Sequence, residues 1–299
     1  MLALAYKPPN ISSFYFAKLV KKALNQQGFN IDKVGFSGTL DPFAKGQLLL
    51  AFNSYTRFLS HVNMPFKTYK ATIFLGLSSK SLDTENILSL NEEKHLEKAC
   101  IINTLEALNG NLTYTPPSFS AKLVDGKRAY ALSREGKEVR LSDTTMQVSN
   151  LKLLNYTHPF LSFEVSVSKG GYIRSLSEII CNKLGVKGAL CSLERLSEGN
   201  LSYQSLLRTT KPLYLNLYNS NNTASKPSTK LLPLDLEKTL PYVTIKLFSH
   251  EELALNGAKF KLESTPTGIY LVDFRSHFGV IEVMENKEIR YILNRISKC

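Results

Sequence analysis

The segment from Phe160 to Gly185 constrains the fold of this chain more than any other part of the sequence. Over residues 160–168, apolar side chains alternate with polar ones in FLSFEVSVS, as in a β-strand that buries one face. After two glycines, the apolar residues recur every three to four positions as far as Leu184, which predicts a helix that Gly185 ends. A strand followed directly by a helix, with Arg174 in the first helical turn, favours a fold that mixes the two element types.

Other parts of the chain show the same mixture of elements. Three more are predicted: a helix over residues 13–27 capped by Ser12 or Ser13, a strand over residues 69–77, and a helix from an Asn91 cap to Leu108 that Gly110 ends. The sequence contains neither a G-x-G-x-x-G motif nor a P-loop, so no phosphate-binding loop of a nucleotide fold is indicated. The predicted fold class is α+β.

The composition of the chain changes near residue 214. The stretch NLYNSNNTASKPSTK, within residues 214–230, has almost no apolar side chains and predicts a flexible connector. Beyond it, short strand-like runs at Ile269–Phe274, Val280–Val283 and Ile289–Leu293 are separated by turn residues. We therefore divide the chain into a main domain over residues 1–213, a polar linker over 214–239 and a small β-rich module over 240–299.

The chain is basic, with 37 Lys and Arg side chains against 25 Asp and Glu, and a net charge of +12. Residues 240–299 hold eight basic and seven acidic side chains, so almost all of the excess lies in the first 239 residues. A polyanionic partner such as RNA fits this charge. The sharpest basic stretch runs from Lys122 to Arg140 and includes Lys127 and Arg128, although a solvated surface of mixed charge is the alternative for it.

Several classes of protein do not fit the sequence. The four cysteines form no CxxC pair, and the five histidines are scattered without the spacing of metal ligands. The N-terminal LALAY is cut short by Pro8-Pro9, which leaves it too brief for the core of a signal peptide. No apolar run approaches the roughly 20 residues that a membrane helix needs. These observations predict a soluble, reduced, cytoplasmic protein without a metal.

The segment GFSGTLDPFAKGQL, residues 35–48, places one carboxylate, Asp41, in a short turn bounded by glycine and proline. Loops held between rigid elements often carry catalytic groups, because the scaffold fixes their direction and leaves them accessible. The alternative is an ordinary Asp-Pro turn in which the aspartate caps its own backbone. The residues of this segment leave both interpretations open.

The same segment follows most of a G-H-x-G-x-L-D-P pattern, with Phe36 in the place of the histidine. The blocks KTYKATIFLG, TPPSFSAKLVDGKRAY, SKGGYIRSL and LERL follow in that order, and Lys7-Pro8 with Ser12-Ser13 precede them. Together these blocks, over roughly residues 6–200, resemble the TruB family of bacterial tRNA pseudouridine synthases. Several blocks in one order are far more specific than a single motif.

The resemblance implies a pseudouridine synthase fold, in which a mixed and largely antiparallel sheet is flanked by helices, followed by a PUA-like module. It implies an isomerase that converts uridine-55 in the T-arm of tRNA to pseudouridine. We expect a monomer that needs no cofactor or metal, since the product is an isomer of the substrate. The implied catalytic residues are Asp41, Tyr69 and Arg174, with Arg174 keeping the Asp41 carboxylate ionised and oriented. The implied substrate-binding residues are Phe36, Tyr172, Leu193, Lys169, Lys122, Lys127 and Arg128.

Each of these residues also has an ordinary interpretation. Arg174 could be a surface arginine, Tyr69 a core residue with a solvated hydroxyl, and Lys169 part of a plain strand-to-helix turn. Asp41 could attack the sugar, attack the base or remove a ribose proton. An RNA-binding or RNA-folding factor whose catalysis is incidental or lost is the alternative function. Asp41, Tyr69 and Arg174 together favour an enzyme, because RNA binding alone does not need a buried carboxylate.

Overall fold

The structure is a computed structural model, and it describes residues 1–62, 64–120, 122–124, 126–139, 141–217 and 228–298. Within these ranges the strands are β1 (Leu2–Lys7), β2 (Val34–Phe36), β3 (Lys45–Phe52), β4 (Phe66–Leu75), β5 (Leu77–Ser79), β6 (Ile87–Leu90), β7 (Gly110–Tyr114), β8 (Leu123–Val124), β9 (Lys127–Arg128), β10 (Thr144–Thr157), β11 (Phe160–Ser168), β12 (Gly188–Glu198), β13 (Leu201–Ser202), β14 (Leu213–Asn216), β15 (Ser228–Leu234), β16 (Val243–Lys246), β17 (Gly268–Asp273), β18 (His277–Val283) and β19 (Ile289–Ser297). The α-helices are α1 (Ser13–Gln26), α2 (Lys98–Ala107), α3 (Ala129–Arg134), α4 (Ile173–Leu184), α5 (Tyr203–Thr209), α6 (Leu236–Thr239) and α7 (Glu251–Leu255), and 3₁₀ segments lie at Asn53–Ser60 and Phe248–His250.

One large sheet forms the centre of the molecule. Its strand order is β14-β15-β1-β3-β12-β4-β11-β10-β7, with β2 added beside β3 and β13 beside β12. The pairing of β12 with β3 is parallel, and the other pairings of this sheet within the described ranges are antiparallel. The predicted α+β class with a mixed, largely antiparallel sheet is confirmed. The register of β4 places Tyr69 between Arg195 of β12 and Val165 of β11, near the middle of the sheet.

Helix α1 forms where the sequence predicts it. Ser12 caps its start, because the Ser12 Oγ accepts a hydrogen bond of 3.1 Å from the backbone N–H of Tyr15. Phe16, Val20 and Leu24 lie on one face of the helix and are fully buried against the large sheet. Burial of each of these side chains contributes roughly 1.5–3 kcal/mol to folding.

The strand and helix predicted from Phe160 to Gly185 are also confirmed, as β11 and α4. Gly185 ends α4 in the left-handed conformation, at φ 65°, and its N–H bonds back to the Asn182 carbonyl. Arg174 lies in the first turn of α4, and its side chain is buried. The interpretation of Arg174 as a surface arginine is therefore wrong.

The predicted start of the second helix is wrong. Helix α2 begins at Lys98, and Asn91 follows the β5–β6 hairpin instead, where its N–H donates to the carbonyl of Gly76. The backbone between these points is held by tertiary contacts, since the N–H of Leu96 donates to the Tyr156 hydroxyl at 2.9 Å. Long-range hydrogen bonds thus override the local capping signal of Asn91.

The prediction of a polar linker over 214–239 is wrong at both ends. Strand β14 begins before residue 214, β15 pairs with β1 inside the large sheet, and α6 occupies the last four residues of the predicted linker. Leu231 and Leu232 of β15 are fully buried. Residues 218–227 of the predicted linker lie outside the described residues. The predicted linker therefore contains strands that complete one side of the sheet.

The C-terminal residues form a second, four-stranded sheet in the order β16-β17-β18-β19, which contains the three predicted strand runs and one more strand. This β module shares an apolar cluster with the rest of the protein, in which Leu271 and Val280 pack with Tyr55 and Phe58. Arg57 also donates a 2.7 Å hydrogen bond to the backbone carbonyl of Asn294. Across the described ranges, none of the helices is long and apolar enough to cross a membrane.

Candidate active site

Asp41 lies in the loop between β2 and β3, and the N-terminal segment of the chain holds this loop from two sides. Before Asp41, the Ser13 Oγ donates to the carbonyl of Leu40 at 2.9 Å and accepts from its N–H at 2.8 Å. After Asp41, the buried Lys7 Nζ donates to the carbonyl of Pro42 at 3.3 Å, and also to carbonyls of Pro8 and Ile11. The backbone on either side of the carboxylate is therefore fixed.

Two nitrogens of Arg174 contact the Asp41 carboxylate. The Arg174 Nε lies 2.9 Å from Asp41 Oδ2, and the Arg174 Nη2 donates to Asp41 Oδ1 at 3.0 Å. This two-pronged geometry fixes the plane of the carboxylate as well as its position. The Arg174 side chain is 3% exposed, whereas the Asp41 side chain is 30% exposed. The carboxylate is thus oriented from within and open to a ligand from outside.

Three further groups hold the guanidinium itself. Arg174 donates to the backbone carbonyls of Ser81 at 3.0 Å and Phe119 at 2.9 Å. Its Nη1 also lies 3.5 Å from an oxygen of Asp83, a buried carboxylate. A buried arginine needs such partners, because an uncompensated charge in the interior is very costly.

The pKa of Asp41 is set by opposing effects. Burial raises the pKa of this carboxyl above its ordinary value, and the neighbouring Asp83 carboxylate raises it further. The Arg174 guanidinium and the Lys7 ammonium lower the pKa of Asp41, although burial is the largest effect and the net direction is upward. The expectation that Arg174 favours the ionised form is consistent with its own effect, but it does not set the net direction of the shift.

Tyr69 lies on β4 with its side chain in the apolar cluster that also contains Leu40 and Ile173, so Asp41 is flanked by members of this cluster. Burial raises the pKa of the Tyr69 hydroxyl, and the Arg195 guanidinium opposes this by lowering it through its charge and a hydrogen bond. Tyr69 is 7% exposed. It is therefore a core residue, and its catalytic role stays a prediction.

Tyr172 and Leu193 belong to the same side of the sheet. Tyr172 immediately precedes α4, and its ring centroid lies 6.4 Å from that of Tyr114. Burial raises the pKa of the Tyr172 hydroxyl. Leu193 lies opposite Ala71 of β4 and is part of the apolar cluster around Tyr69. Both residues thus pack in or against the cluster that includes Leu40, next to Asp41.

Phe36 has different neighbours. It pairs with Leu50 at the end of β2, and its half-buried ring packs against the cluster formed by α1 and the sheet, which includes Phe16. The residues around Tyr69 form a separate cluster. A contact of Phe36 with a flipped base stays a prediction.

The predicted basic residues lie at the surface. Lys127 and Arg128 form β9 and are exposed, and Lys122 precedes its partner strand β8 and is half-buried. The segment before this hairpin touches the site, because the carbonyl of Phe119 accepts from Arg174. Lys169 is exposed at the end of β11, close enough to Lys67 for its charge to lower the pKa of Lys67. Asp125 and Arg140 of the predicted basic stretch lie outside the described residues.

Sequence reasoning missed a second cluster of charges beside the same loop, formed by Lys67, Arg195 and Glu198. The Arg195 Nη1 lies 2.8 Å from Glu198 Oε1 and donates at 2.8 Å to the carbonyl of Gly38, three residues before Asp41. The Lys67 Nζ lies 3.4 Å from the same Glu198 oxygen. The side chains of Arg195 and Glu198 are fully buried. This cluster connects the Asp41 loop to β12 and to the strand that carries Tyr69.

The signals for the missed residues differ in strength. Lys7 and Arg195 stand inside the quoted K-P and LERL blocks, so the sequence marks their positions but not their contacts. Asp83 stands in a serine-rich loop and carries no sequence signal at all. Gly46 gives one further signal for the position of Arg195. Strand β12 runs so close to β3 that a Cβ at Gly46, which has φ +121°, would clash with the Arg195 backbone.

Comparison with known proteins shows the family of this chain. Residues 25–173 match the model of the TruB family of pseudouridylate synthases, N-terminal domain. The "tRNA pseudouridine synthase B" of Helicobacter hepaticus is 42% identical over 298 residues, which cover 99% of this chain and 95% of that protein. The protein of the same name from Campylobacter jejuni (strain RM1221) is 38% identical over 298 residues, covering 99% and 98% of the two chains. This chain belongs to the TruB family.

Two solved structures show the same fold at greater distance. The structure of an H/ACA RNP bound to a substrate RNA containing 2′-deoxyuridine matches with a TM-score of 0.61 at 17% identity, over 99% of this chain and 85% of that one. A chain of the archaeal box H/ACA sRNP complex matches with a TM-score of 0.60 at 18% identity, over 98% and 85%. The TruB family match includes Asp41 and Tyr69 and ends one residue before Arg174.

Proposed function

We propose that this protein is a tRNA pseudouridine synthase that isomerises uridine-55 in the T-arm of tRNA. The relatives with 37–42% identity over nearly the whole chain carry the name tRNA pseudouridine synthase B, which supports the reaction and the substrate class. The observation that carries the proposal is the Asp41–Arg174 pair, in which a buried arginine orients a carboxylate that is open to solvent. A protein that only binds RNA would gain nothing from a carboxylate there, because it repels phosphate.

The reaction exchanges one glycosidic bond for another. The bond between ribose C1′ and uracil N1 breaks, the base turns, and a bond forms between C1′ and C5. The C5 carbon loses a proton and N1 gains one, so the product is an isomer and the balance requires no redox partner or energy source. The base must first leave its stack in the RNA, which costs a few kcal/mol.

Asp41 acts at the sugar or the base in this scheme. Its carboxylate is aimed by two nitrogens of Arg174, of which Nη2 donates a hydrogen bond, and it can serve as the nucleophile or as the base that removes a ribose proton. Because burial raises its pKa, Arg174 and Lys7 are needed to keep enough of it ionised. Fixing a charged group before the substrate arrives avoids reorganisation during the reaction.

Tyr69 is suited to accept the proton that C5 of the base loses. Burial raises the pKa of its hydroxyl, whereas the Arg195 guanidinium lowers it and so favours the phenolate that would accept this proton. Tyr172 and Leu193 supply apolar walls for the base on the same side of the sheet. A tRNA substrate supports a cytoplasmic location, and a monomeric enzyme stays a prediction.

The test is Asp41→Asn, which keeps the shape of the side chain but cannot ionise. Pseudouridine is mapped in a tRNA transcript after incubation with the protein, and RNA affinity is measured in parallel. We expect no pseudouridine at position 55 and RNA binding close to that of the parent protein. Asp32→Asn is the matched control, because Asp32 is an exposed aspartate close to the same loop in sequence, and its variant should retain full activity. Turnover by Asp41→Asn equal to that of Asp32→Asn would contradict the proposal.

A further inference from the structure

The solvent-facing side of helix α1 carries an unusual combination of aromatic and basic residues. Phe14 and Tyr15, in the first turn, are 61% and 47% exposed, although aromatic rings are normally buried. Lys18 and Lys22 follow on the same side, and both are exposed. Helix α1 contains three lysines and no acidic residue. Within the described ranges, neither Lys18 nor Lys22 forms an ion pair.

The first turn of α1 lies at the edge of the Asp41 loop. The Ser13 Oγ exchanges two hydrogen bonds with Leu40, and the N–H of Asn10 donates to the carbonyl of Pro42 at 2.8 Å. The two residues on either side of Asp41 are therefore bonded to the first residue of α1 and to the segment just before it. Phe14 and Tyr15 directly follow Ser13 in the chain, so their exposed rings begin close to the Asp41 loop.

The surface continues along the helix to the side of the large sheet. A shallow depression of about 580 Å³, lined by Lys18, Lys22, Asn25 and two further helix residues, lies beside the middle of α1. At the C-terminal end, the Gln27 side chain donates at 2.7 Å to the carbonyl of Tyr214, whose ring is 64% exposed. With a rise of about 1.5 Å per residue, the helix extends this surface by roughly 20 Å from the Asp41 loop.

Aromatic rings and lysines are paired at both ends of this surface. The Lys18 Nζ lies 4.5 Å from the centroid of the Phe14 ring, and the Lys230 Nζ lies 5.6 Å from that of Tyr214. A cation held over an aromatic face is attracted to the ring, which fixes the position of the charge relative to it. Exposed rings that alternate with fixed cations are how proteins bind unstacked nucleotides, because the rings stack on bases while the cations contact phosphates.

We propose that the exposed face of α1, formed by Phe14, Tyr15, Lys18 and Lys22 and continued by Tyr214 and Lys230, binds the RNA strand that flanks the flipped uridine. This inference rests on the proposed RNA substrate and adds a binding surface distinct from the β8–β9 hairpin. The rings stack on loop nucleotides that leave their own stack when the target base turns out. The lysines follow the phosphates that lead away from the site.

The experiment measures the affinity of the full chain for a labelled T-arm stem-loop over a range of salt concentrations. All variants are made in the Asp41→Asn background, so that binding is measured without turnover. Phe14→Ala/Tyr15→Ala should weaken binding on the order of 10-fold with little change in salt dependence, because stacking is lost and charge is kept. Lys18→Gln/Lys22→Gln should also weaken binding on the order of 10-fold. It should lower the slope of log affinity against log salt by up to about one unit per lost phosphate contact.

Matched controls lie at the other end of the sheet. Lys98→Gln/Lys152→Gln removes two positive charges from the groove between α2 and β10, and Phe160→Ala removes a ring that is 43% exposed on β11. Neither control should change affinity by more than about twofold. Unchanged melting temperatures verify that the α1 variants fold, which is expected because the altered side chains are exposed.

Two results would overturn the proposal. Affinities and salt slopes of both α1 variants equal to those of the controls would mean that the face does not bind RNA. Equal affinity of the parent for the stem-loop and for a fully paired RNA of the same length, with both weakened alike by Phe14→Ala/Tyr15→Ala, would exclude stacking on unstacked nucleotides. Failure of the proposed function gives a different result: the parent chain would make no pseudouridine while its RNA affinity still depended on α1.

Discussion

Two clusters of buried charge lie on either side of one loop, and they differ in how their carboxylates are exposed. In the first, Arg174 holds Asp41, whose side chain is 30% exposed. In the second, Arg195 and Lys67 enclose Glu198, whose side chain has no exposed area. Both clusters place an arginine against a carboxylate at 2.8–3.0 Å, so the distance between the charged groups does not distinguish them. The exposure of the carboxylate to solvent does distinguish them.

The difference indicates that the Asp41–Arg174 pair is suited to a reaction, whereas the Glu198 cluster holds parts of the structure in position. The Asp41 carboxylate is open to solvent and can contact a substrate, and its partner Arg174 orients it. The closed carboxylate of Glu198 can only neutralise its two cations, of which Arg195 in turn holds the carbonyl of Gly38 and lowers the pKa of the Tyr69 hydroxyl against the effect of burial. The second cluster therefore acts through the loop and the tyrosine. The following predictions test this division, in order of expected effect.

The largest effect is expected for Arg174→Lys. Lysine keeps the charge but loses the planar pair of donors that fixes the Asp41 carboxylate. We expect the rate constant for pseudouridine formation to fall on the order of 100-fold or more, measured in single-turnover assays with saturating enzyme. Arg208→Lys, at an exposed position on α5, is the control and should turn over like the parent. Near-normal turnover in Arg174→Lys would show that the open carboxylate does not need a two-pronged partner.

Glu198→Gln should act mainly on stability. It leaves Arg195 and Lys67 buried without their counter-charge, and breaking a buried ion pair in this way costs about 3–5 kcal/mol in free energy of unfolding. Urea unfolding measures this loss. Glu164→Gln breaks an exposed pair with Lys152 at 2.9 Å and should cost less than about 1 kcal/mol. If the two variants lost the same stability, the closed cluster would not hold the loop as inferred.

The pH dependence of turnover gives a smaller effect that concerns Asp41 alone. Burial raises the pKa of Asp41, so the carboxylate takes up its proton at a higher pH than an ordinary aspartic acid does. The protonated form cannot act as nucleophile or base, so the rate should fall as pH decreases through this raised pKa. Below that pKa it should fall about tenfold per pH unit. A rate that stays constant down to the ordinary range of aspartic acids would contradict this, provided that RNA binding is unchanged over the same pH range.

The smallest effect is expected for charges outside both clusters. Lys127 and Arg128 are exposed on β9, so Lys127→Gln/Arg128→Gln should leave the melting temperature unchanged. If the hairpin contacts the RNA backbone, affinity should decrease and the salt slope should fall by up to about one unit per lost contact. An unchanged salt slope would mean that these residues belong to a solvated surface of mixed charge and do not contact the RNA backbone.

Local patterns in the sequence were sufficient for several elements and for part of the site. The alternation in β11, the helical period of α4 and the Ser12 cap of α1 depend on neighbouring residues, so they could be predicted with their bounds. Asp41 and Arg174 were found because their blocks resemble a family. No pattern within the chain brings them to 2.9 Å from each other, since 132 residues separate them.

The other contacts of the site and the pairing of the outer strands were decided by the tertiary structure alone. Asp83 meets Arg174, and Glu198 meets Lys67, through the register of strands and the packing of loops that are distant in sequence. Strand β15 begins within the polar stretch, at Ser228, and its pairing with β1 gives it a place in the sheet. Periodicity and capping report the preferences of a segment on its own. Burial of charge and pairing of strands depend on which segments meet, and that is determined only when the whole chain folds.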